Sequence, residues 1–263
     1  MDLWYFVLFS VTSVQLSSAS DQLSSKGYYL DKGTHPYVVL IIDVTIKDPI
    51  ARFIASGTVL NERWVLSLAR PLKSKNATDL AIMGGKEVYT DPRRDKNKIS
   101  IQESVVQSGP KRPEYAMILL QTAEEIVFSE SIQPVIGNLN PQYCKCVYLH
   151  CELVAWYLAA DTWVKSRIFV VPETNSTNCT ITSDVEFCVD PLLESEVEIN
   201  PCAAKVNLGI PLMCDVSIEG VFLGMGPNGC DNPAADANNK VYLFEKDSVD
   251  KFLYGTQKLK RSE

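Results

Sequence analysis

The chain has 263 residues, of which 46% are apolar and 22% are charged, and its formal net charge at pH 7 is −7. This length is sufficient for a substantial hydrophobic core in one large or two small domains. The negative charge excludes nucleic-acid binding by bulk electrostatics, and the short basic tail of Lys258, Lys260 and Arg261 is interpreted as a solvated terminus.

The first twenty residues predict a signal peptide that is cleaved before Asp21. Residues 3–9 are apolar, and Ser18 and Ser20 are small residues of the kind that precede a signal-peptidase site. The segment lacks Lys and Arg and contains Asp2, which leaves an uncleaved membrane anchor as the alternative. An anchor is disfavoured because the apolar run is shorter than the roughly 20 residues that span a bilayer. No later segment is long and apolar enough to cross a membrane, so we expect a secreted, extracellular protein.

Short apolar runs separated by turn residues predict an all-β protein, either a sandwich or a barrel. The predicted strands of the first half are 37–44, 53–60, 64–66, 81–83, 99–106 and 116–120. Those of the second half are 147–156, 166–171, 211–215, 220–226 and 240–244. The stretch 133–143 contains prolines, asparagines and a glycine and is the predicted joint between the halves. Residues 247–255 have apolar positions spaced three and four apart and predict a short C-terminal helix.

All eight cysteines lie in the second half of the chain, after residue 143. An even number of cysteines in a secreted chain indicates disulfides. The alternative is a zinc site at Cys144, Cys146, His150 and Cys151, but this spacing matches no standard zinc motif and an oxidising compartment disfavours free thiolates. We therefore expect no metal and no cofactor. Three Asn-x-Ser/Thr sequons predict N-glycosylation, at Asn76, Asn175 and Asn178.

Six stretches, in the same order along the chain, resemble the trypsin/chymotrypsin-like (S1) serine protease family from Pro36 to about Tyr254. They are HPYVVLI, ASGTVLNERWVLSLARP, EYAMILLQTAEEIVFSESIQPV, CELVAW, NLGIPLMC and KVYLFEKDSVDKFLYG. The resemblance implies an all-β fold of two six-stranded antiparallel barrels with a short C-terminal helix. The implied domain organisation is a signal peptide at 1–20, an N-terminal segment at 21–35 and a peptidase S1-like domain at 36–258, with its barrels at about 36–132 and 144–246 and its helix at about 247–255.

The same resemblance implies three disulfides, which are Cys151–Cys214, Cys179–Cys188 and Cys202–Cys230. Cys144 and Cys146 remain, and they pair either with each other or with another chain. The family bridge beside the catalytic histidine is absent at both ends, because Ala55 and Pro71 occupy its two positions. The loss of both cysteines together avoids an orphan thiol.

The resemblance also implies that the three positions of the catalytic triad fall at Arg70, Glu114 and Leu208. Arginine stays protonated and has no acceptor atom, so Arg70 cannot take a proton from a hydroxyl group. Leu208 has no nucleophilic atom, whereas the family mechanism needs a serine there. Glu114, or Tyr115 if the register shifts by one, takes the carboxylate position, and an acid there would hold Arg70 in an ion pair.

Other family features are also replaced. Asn207 takes the position of the aspartate that pairs with the new amino terminus after activation, and Val206 replaces the first glycine of the oxyanion hole. The residue that reads the charge of the substrate falls at Asn200 or a near neighbour. The chain has two histidines, His35 and His150, and both are interpreted as structural residues, with a catalytic role as the minor alternative.

These residues predict a secreted, catalytically inactive serine protease homologue that acts as a protein-binding or regulatory module. The expected partner is another extracellular protein, which is a protease, an inhibitor or a receptor. One alternative is an active serine-type endopeptidase with a divergent site. The other is a structural protein of a secreted fluid.

Overall fold

The computed structural model describes residues 28–30, 33–86, 88–89, 98–107, 116–135, 151–159, 161–172, 186–191, 207–214, 217–225, 241–244 and 252. Within these ranges almost all regular structure is β. The strands of the first half are β1 Tyr28–Tyr29, β2 Val38–Asp43, β3 Phe53–Val59, β4 Trp64–Leu68, β5 Leu80–Met83, β6 Val88–Tyr89, β7 Ile99–Val106 and β8 Met117–Thr122. Those of the second half are β9 Cys151–Ala159, β10 Thr162–Pro172, β11 Glu186–Pro191, β12 Pro211–Cys214, β13 Ser217–Met225 and β14 Val241–Phe244. A 3₁₀ turn, Ala77–Asp79, precedes β5.

Six strands of the first half form a closed antiparallel barrel in the order β2-β3-β4-β8-β7-β5. Its interior is filled by aliphatic side chains that alternate along each strand, as a half-buried strand requires. On β2, for example, Val39 and Ile41 belong to this interior cluster, together with Val65 of β4 and Leu120 of β8.

The outer face of the same barrel is also covered on one side. Leu40 and Ile42 of β2 point away from the barrel interior and join an aromatic cluster with Trp156 and Trp163 from the second half. The continuous apolar run of β2 follows from this burial on both faces, since every residue of the strand is buried. This cluster forms a core between the two halves.

The strands of the second half also close into a ring of hydrogen-bonded pairs. The pairs follow the order β9-β10-β11-β14-β13-β12 and return from β12 to β9. Two short strands from outside this half attach to β10: β1 pairs at Ser166 and Arg167, and β6 pairs at Trp163 and Val164. The predicted all-β fold with two six-stranded antiparallel barrels is therefore confirmed.

Eleven strands lie close to the ranges predicted from the sequence, with end points that differ by a few residues. Three strands were not predicted: β1, β6 and β11. Of the predicted C-terminal helix, the structure describes Phe252 alone, which is helical. The predicted signal peptide lies outside the described residues. Among the described residues, no helix combines the length and hydrophobicity that a membrane crossing requires.

Candidate functional site

Arg70 lies in a tight turn at the end of β4. The backbone N–H groups of Leu72 and Lys73 donate to the carbonyl of Ala69 at 2.9 and 2.7 Å, which closes one helical turn around Arg70. The N–H of Ala69 donates to the carbonyl of Ala116 at 2.7 Å and continues the β4–β8 pairing by one residue. Arg70 is half-buried. Glu114 and Tyr115, the predicted carboxylate position and its alternative, lie outside the described residues.

Leu208 lies in the turn 207–209, which leads into β12 and contacts the first barrel directly. Its side chain is 5% exposed, so it is part of the packed interior. Its carbonyl accepts a hydrogen bond of 3.1 Å from the N–H of Ser56 on β3, and the next N–H, that of Gly209, donates to the carbonyl of Phe222 on β13 at 3.1 Å. The turn thus joins the two barrels through its backbone.

Gly209 explains how closely this turn approaches the first barrel. Its φ is +91°, in the region that favours glycine, and a Cβ at this position would lie 2.6 Å from the Ser67 hydroxyl oxygen and 2.9 Å from the Leu68 nitrogen. Because Leu68 is two residues before Arg70, the structure brings the predicted nucleophile and base positions to the same joint between the barrels.

Asn207 fixes the start of the turn to the second barrel. Its side-chain oxygen accepts a 2.6 Å hydrogen bond from the N–H of Trp156, and its side-chain nitrogen donates to the carbonyl of Trp156 at 2.9 Å. Asn207 is 1% exposed. An amide is the side chain that satisfies a backbone donor and a backbone acceptor together without charge. The sequence identified this position as a substitution but did not predict this pairing.

Ser67 is a hydroxyl group at the same joint. It is fully buried, and its hydroxyl donates to the carbonyl of Ser56 at 2.6 Å. A serine nucleophile needs a base that accepts its proton, together with access to a substrate. The described contacts of Ser67 provide a structural hydrogen bond to the backbone instead.

The imidazole of His35 is engaged at both ring nitrogens. Its Nδ1 is 2.6 Å from the Tyr37 hydroxyl, and its Nε2 is 3.1 Å from the Glu152 carboxylate. Burial, and then the charge of Glu152, raise the pKa of Tyr37, so this tyrosine stays protonated. His35 therefore lies in a structural cluster between the segment before β2 and β9. His150, the second histidine, lies outside the described residues.

A second buried ionic group, which the sequence did not predict, lies at the end of β2. Asp43 is fully buried and accepts hydrogen bonds from the N–H and hydroxyl of Thr45, and its other oxygen is 2.6 Å from the Lys75 ammonium group. Burial alone raises the pKa of this carboxyl, but the hydrogen bonds from Lys75 and Thr45 outweigh burial and lower it. The carboxylate is therefore charged at neutral pH and acts as a structural pair with Lys75.

The predicted disulfides fall mostly on residues that are not described. Cys151 is disulfide-bonded, and the residue directly opposite it on β12 is Cys214. The pairing Cys151–Cys214 remains a prediction, as do the pairings Cys179–Cys188 and Cys202–Cys230. Cys144 and Cys146 lie outside the described residues, and both alternatives for their pairing stay open. Among the described residues, no group of three or more His, Cys, Asp or Glu side chains is placed to hold a metal ion.

Of the three predicted glycosylation sites, Asn76 is the one within the described residues. It is exposed and caps the 3₁₀ turn, and its side-chain nitrogen donates to the Asp79 carboxylate at 3.0 Å. Thr78, the third residue of the sequon, is also exposed. Asn175 and Asn178, together with Val206 and Asn200, lie outside the described residues.

Comparisons with known proteins find similarity over most of the chain. No protein-family model matches the chain. Kallikrein 1-related peptidase b24 from Mus musculus is 21% identical over 264 residues, which cover 89% of this chain and 92% of the relative. Thrombin-like enzyme flavoxobin from Protobothrops flavoviridis is 25% identical over 230 residues, which cover 82% of each chain.

A solved structure, that of the scabies mite inactivated protease paralogue S-I1, superposes with a TM-score of 0.64 at 12% identity. The match covers 90% of this chain and 100% of the mite protein. The chain has the trypsin-like serine protease fold. In this trypsin-like chain the turn 207–209 packs against Ser67 and Leu68, just before the turn at Arg70, at the junction of the barrels.

Proposed function

We propose that this trypsin-like chain is a secreted, catalytically inactive serine protease homologue that acts by binding another extracellular protein. The observation that carries this proposal is the position of Leu208. It lies in the turn at the barrel junction, its hydrocarbon side chain is buried, and the sequence resemblance assigns it the nucleophile position. A hydrocarbon cannot attack a carbonyl group, so the family mechanism has no first step in this chain.

Arg70 supports the same conclusion for the base. Its guanidinium group carries only donors and keeps its proton at physiological pH, so it cannot accept the proton of a hydroxyl group. His35 does not replace it, because its ring nitrogens contact Tyr37 and Glu152. Ser67 donates its proton to a backbone carbonyl inside the barrel junction.

The contacts of Asn207 support the proposal that the turn 207–209 is held in place without proteolytic activation. The family aspartate carries a charge that requires the new amino terminus as its partner, as the sequence resemblance implies. The neutral amide of Asn207 instead bonds to the N–H and the carbonyl of Trp156. These bonds hold the turn without the charge of a cleaved amino terminus.

A chain of this fold without turnover acts through its surface, since functional variation in such folds lies in the loops carried by a rigid scaffold. The proposed partner is an extracellular protease, inhibitor or receptor. The name of the scabies mite protein, an inactivated protease of the same fold, is in line with the proposed loss of activity. The names of the two curated relatives, a peptidase and an enzyme, favour the second candidate function, an active endopeptidase with a divergent site.

The two candidates are separated by an activity test on the purified, secreted chain. We expect no covalent labelling by a fluorophosphonate probe beyond that of the heat-denatured chain, and no hydrolysis of a peptide library. Arg70→Ala and Leu208→Ala variants should give the same background, with an active trypsin-like protease as the positive control. Labelling of the native chain above that of the heat-denatured chain would support the endopeptidase instead.

The binding role requires a partner. Crosslinking and affinity capture from the native extracellular fluid, with the denatured chain as control bait, should recover a reproducible protein in stoichiometric amount. Repeated failure to capture any such protein would favour the third candidate, a structural protein of the fluid.

Secretion is tested by the sequon at Asn76. N-glycosylation joins the Asn76 side-chain nitrogen to the first sugar in the secretory pathway. The secreted chain should lose mass at this site on treatment with a glycosidase specific for N-linked glycans. Thr78→Ser, which keeps the sequon, should retain the glycan, and Thr78→Ala should lack it. An unmodified Asn76 in both the native chain and Thr78→Ser would contradict this part of the proposal.

A further inference from the structure

Residues 28–30 and 33–37, called the strap here, connect the two barrels before β2 begins. At one end, Tyr28 and Tyr29 pair with Arg167 and Ser166 of β10 in the second barrel. Leu30 is buried in a small cluster with Val38 and Val154. The strap therefore lies against the second barrel before it enters the first.

His35 is the polar anchor of the strap. Its φ is +52°, a left-handed conformation that is uncommon for any residue other than glycine. Such a conformation persists where surrounding contacts hold it. Here the ring contacts Glu152 of β9 and Tyr37 of the strap, and the His35 carbonyl accepts a 3.4 Å hydrogen bond from Lys165 of β10.

Three titratable groups face His35, one from each element that surrounds it. Tyr37 on the strap stays protonated, for the reasons given above. Glu152 on β9 contacts the ring at 3.1 Å. Lys165 on β10 is almost fully buried, lies with its ammonium nitrogen 5.6 Å from the centre of the Trp156 ring, and contacts the backbone of His35.

The hydrogen bond between His35 and Tyr37 is compatible with both protonation states of the imidazole. Nε2 lies 3.1 Å from the Glu152 carboxylate but is not aligned to donate a hydrogen bond to it. In the neutral imidazole, Nδ1 accepts from the Tyr37 hydroxyl. In the imidazolium, Nδ1 donates to the same oxygen, which is able to accept after its hydroxyl hydrogen rotates away. Proton uptake therefore breaks no bond in this cluster.

Proton uptake does change the charge balance. The imidazolium would form an ion pair with the Glu152 carboxylate, whose oxygen lies 3.1 Å from Nε2. Lys165 opposes the added charge, but its ammonium group contacts the His35 backbone rather than the ring. Since Coulomb energy falls with distance, the direct contact with Glu152 outweighs the more distant repulsion.

We propose that His35 and Glu152 form a pH-sensitive clasp that holds the strap more tightly against the second barrel when His35 is protonated. Free imidazole groups take up a proton near pH 6.5. The clasp therefore tightens on acidification from pH 8 to about 5.5 and weakens again where Glu152 itself becomes protonated. This proposal concerns the strap alone and does not depend on whether the barrel junction has catalytic activity.

Hydrogen exchange of the Tyr28–Leu30 amides tests the clasp in the full mature chain. After correction for intrinsic exchange, these amides should be several-fold better protected at pH 5.5 than at pH 8. His35→Asn tolerates the left-handed backbone but cannot take up a proton, and Glu152→Gln keeps an acceptor without charge. Both should abolish the pH dependence, whereas His150→Gln should preserve it. Equal protection at both pH values, weaker protection in acid, or an unchanged pH profile in His35→Asn would overturn the proposal.

A spectroscopic titration keeps the test independent of how well the variants fold. The chain has only two histidines, so an NMR spectrum of the native protein contains two imidazole signals, which His150→Gln assigns. The His35 signal should titrate between pH 8 and 5, and the Tyr28–Leu30 amide signals should move with the same midpoint. A His35 signal that does not titrate in this range would overturn the proposal.

Discussion

Two of the described contacts between the barrels use opposite kinds of chemistry. At the turn 207–209, the contacts are neutral: an amide bonds to the backbone of Trp156, and backbone groups bond to Ser56 and Phe222. At the strap, the side-chain contact joins an imidazole, that of His35, to a carboxylate, that of Glu152. We therefore expect the turn to hold its geometry as the pH changes and the strap to respond to acid. Substitutions that change the charge or the packing at such contacts test this difference.

The largest effect is expected when the neutral joint is made ionic by Asn207→Asp. The new carboxylate would face the Trp156 carbonyl without a proton to donate, and an uncompensated buried charge costs about 3–5 kcal/mol. The free energy of unfolding should fall by that amount at pH 7. It should recover as the pH falls, because the protonated acid again donates to the Trp156 carbonyl.

Denaturant unfolding at pH 7 and pH 4.5 provides the measurement. Asn61→Asp is a suitable control, because the Asn61 side-chain oxygen only accepts from the N–H groups of Arg63 and Trp64. This control should stay within about 0.5 kcal/mol of the native chain. A pH-independent loss in Asn207→Asp would show that the side-chain nitrogen of Asn207 contributes no donor at the joint.

A smaller loss is expected from Gly209→Ala. The added Cβ would lie 2.6 Å from the Ser67 hydroxyl oxygen and 2.9 Å from the Leu68 nitrogen, and the φ of +91° is strained for alanine. Strain and crowding together should cost about 2–4 kcal/mol in the free energy of unfolding. The turn 207–209 should then separate from β3.

Gly85→Ala separates the two contributions. Gly85 has a similar φ of +83°, but its nearest contact for an added Cβ is 3.7 Å away. This control isolates the backbone strain and should cost about 1–2 kcal/mol. If the two variants lose the same stability in denaturant titrations, close packing at the barrel junction contributes nothing.

The smallest effect concerns the buried pair at the end of β2. Lys75→Met removes the cation beside Asp43 and should lower the melting temperature at pH 7, with a loss of about 1–2 kcal/mol for a partly exposed charged hydrogen bond. The pKa of Asp43 is lowered in the folded chain, so its stabilising effect is present above the unfolded value of about 3.9 and is lost as the pH falls.

The native chain and Lys75→Met should therefore converge as the pH falls through the lowered pKa of Asp43. Lys73→Met, which replaces an exposed neighbour, should leave the melting temperature unchanged at both pH values. A constant difference between native chain and Lys75→Met from pH 7 to pH 3 would contradict an ionic role for Lys75.

Most strands were predictable because their apolar runs and turn residues are local features. All six residues of β2 are buried because the second barrel covers its outer face. The sequence predicted the strand but not this burial on both faces. β11, with Glu186, Asp190 and Pro191, carries little strand signal of its own. β1 and β6 are two residues long and exist because β10 offers partners, which no local pattern reveals.

The contacts of the candidate site were not predictable from the sequence. The resemblance assigned roles to Arg70 and Leu208 by their order along the chain, and the structure brings their two turns to one junction. Asn207 and Trp156 are 51 residues apart, and nothing in either local sequence predicts that they bond. The His35 contact with Glu152 likewise depends on how the barrels pack, so a reading of the sequence gives only an isolated histidine.

The arrangement around β10 has a consequence for self-association. This strand of 11 residues is longer than the part that β11 covers, so its outer edge would otherwise present open backbone groups. β6 and β1 pair with that edge at Trp163–Val164 and Ser166–Arg167. Exposed strand edges are templates on which other chains add strands and form aggregates. By capping β10 with its own short strands, the chain removes a surface on which copies would polymerise at high concentration.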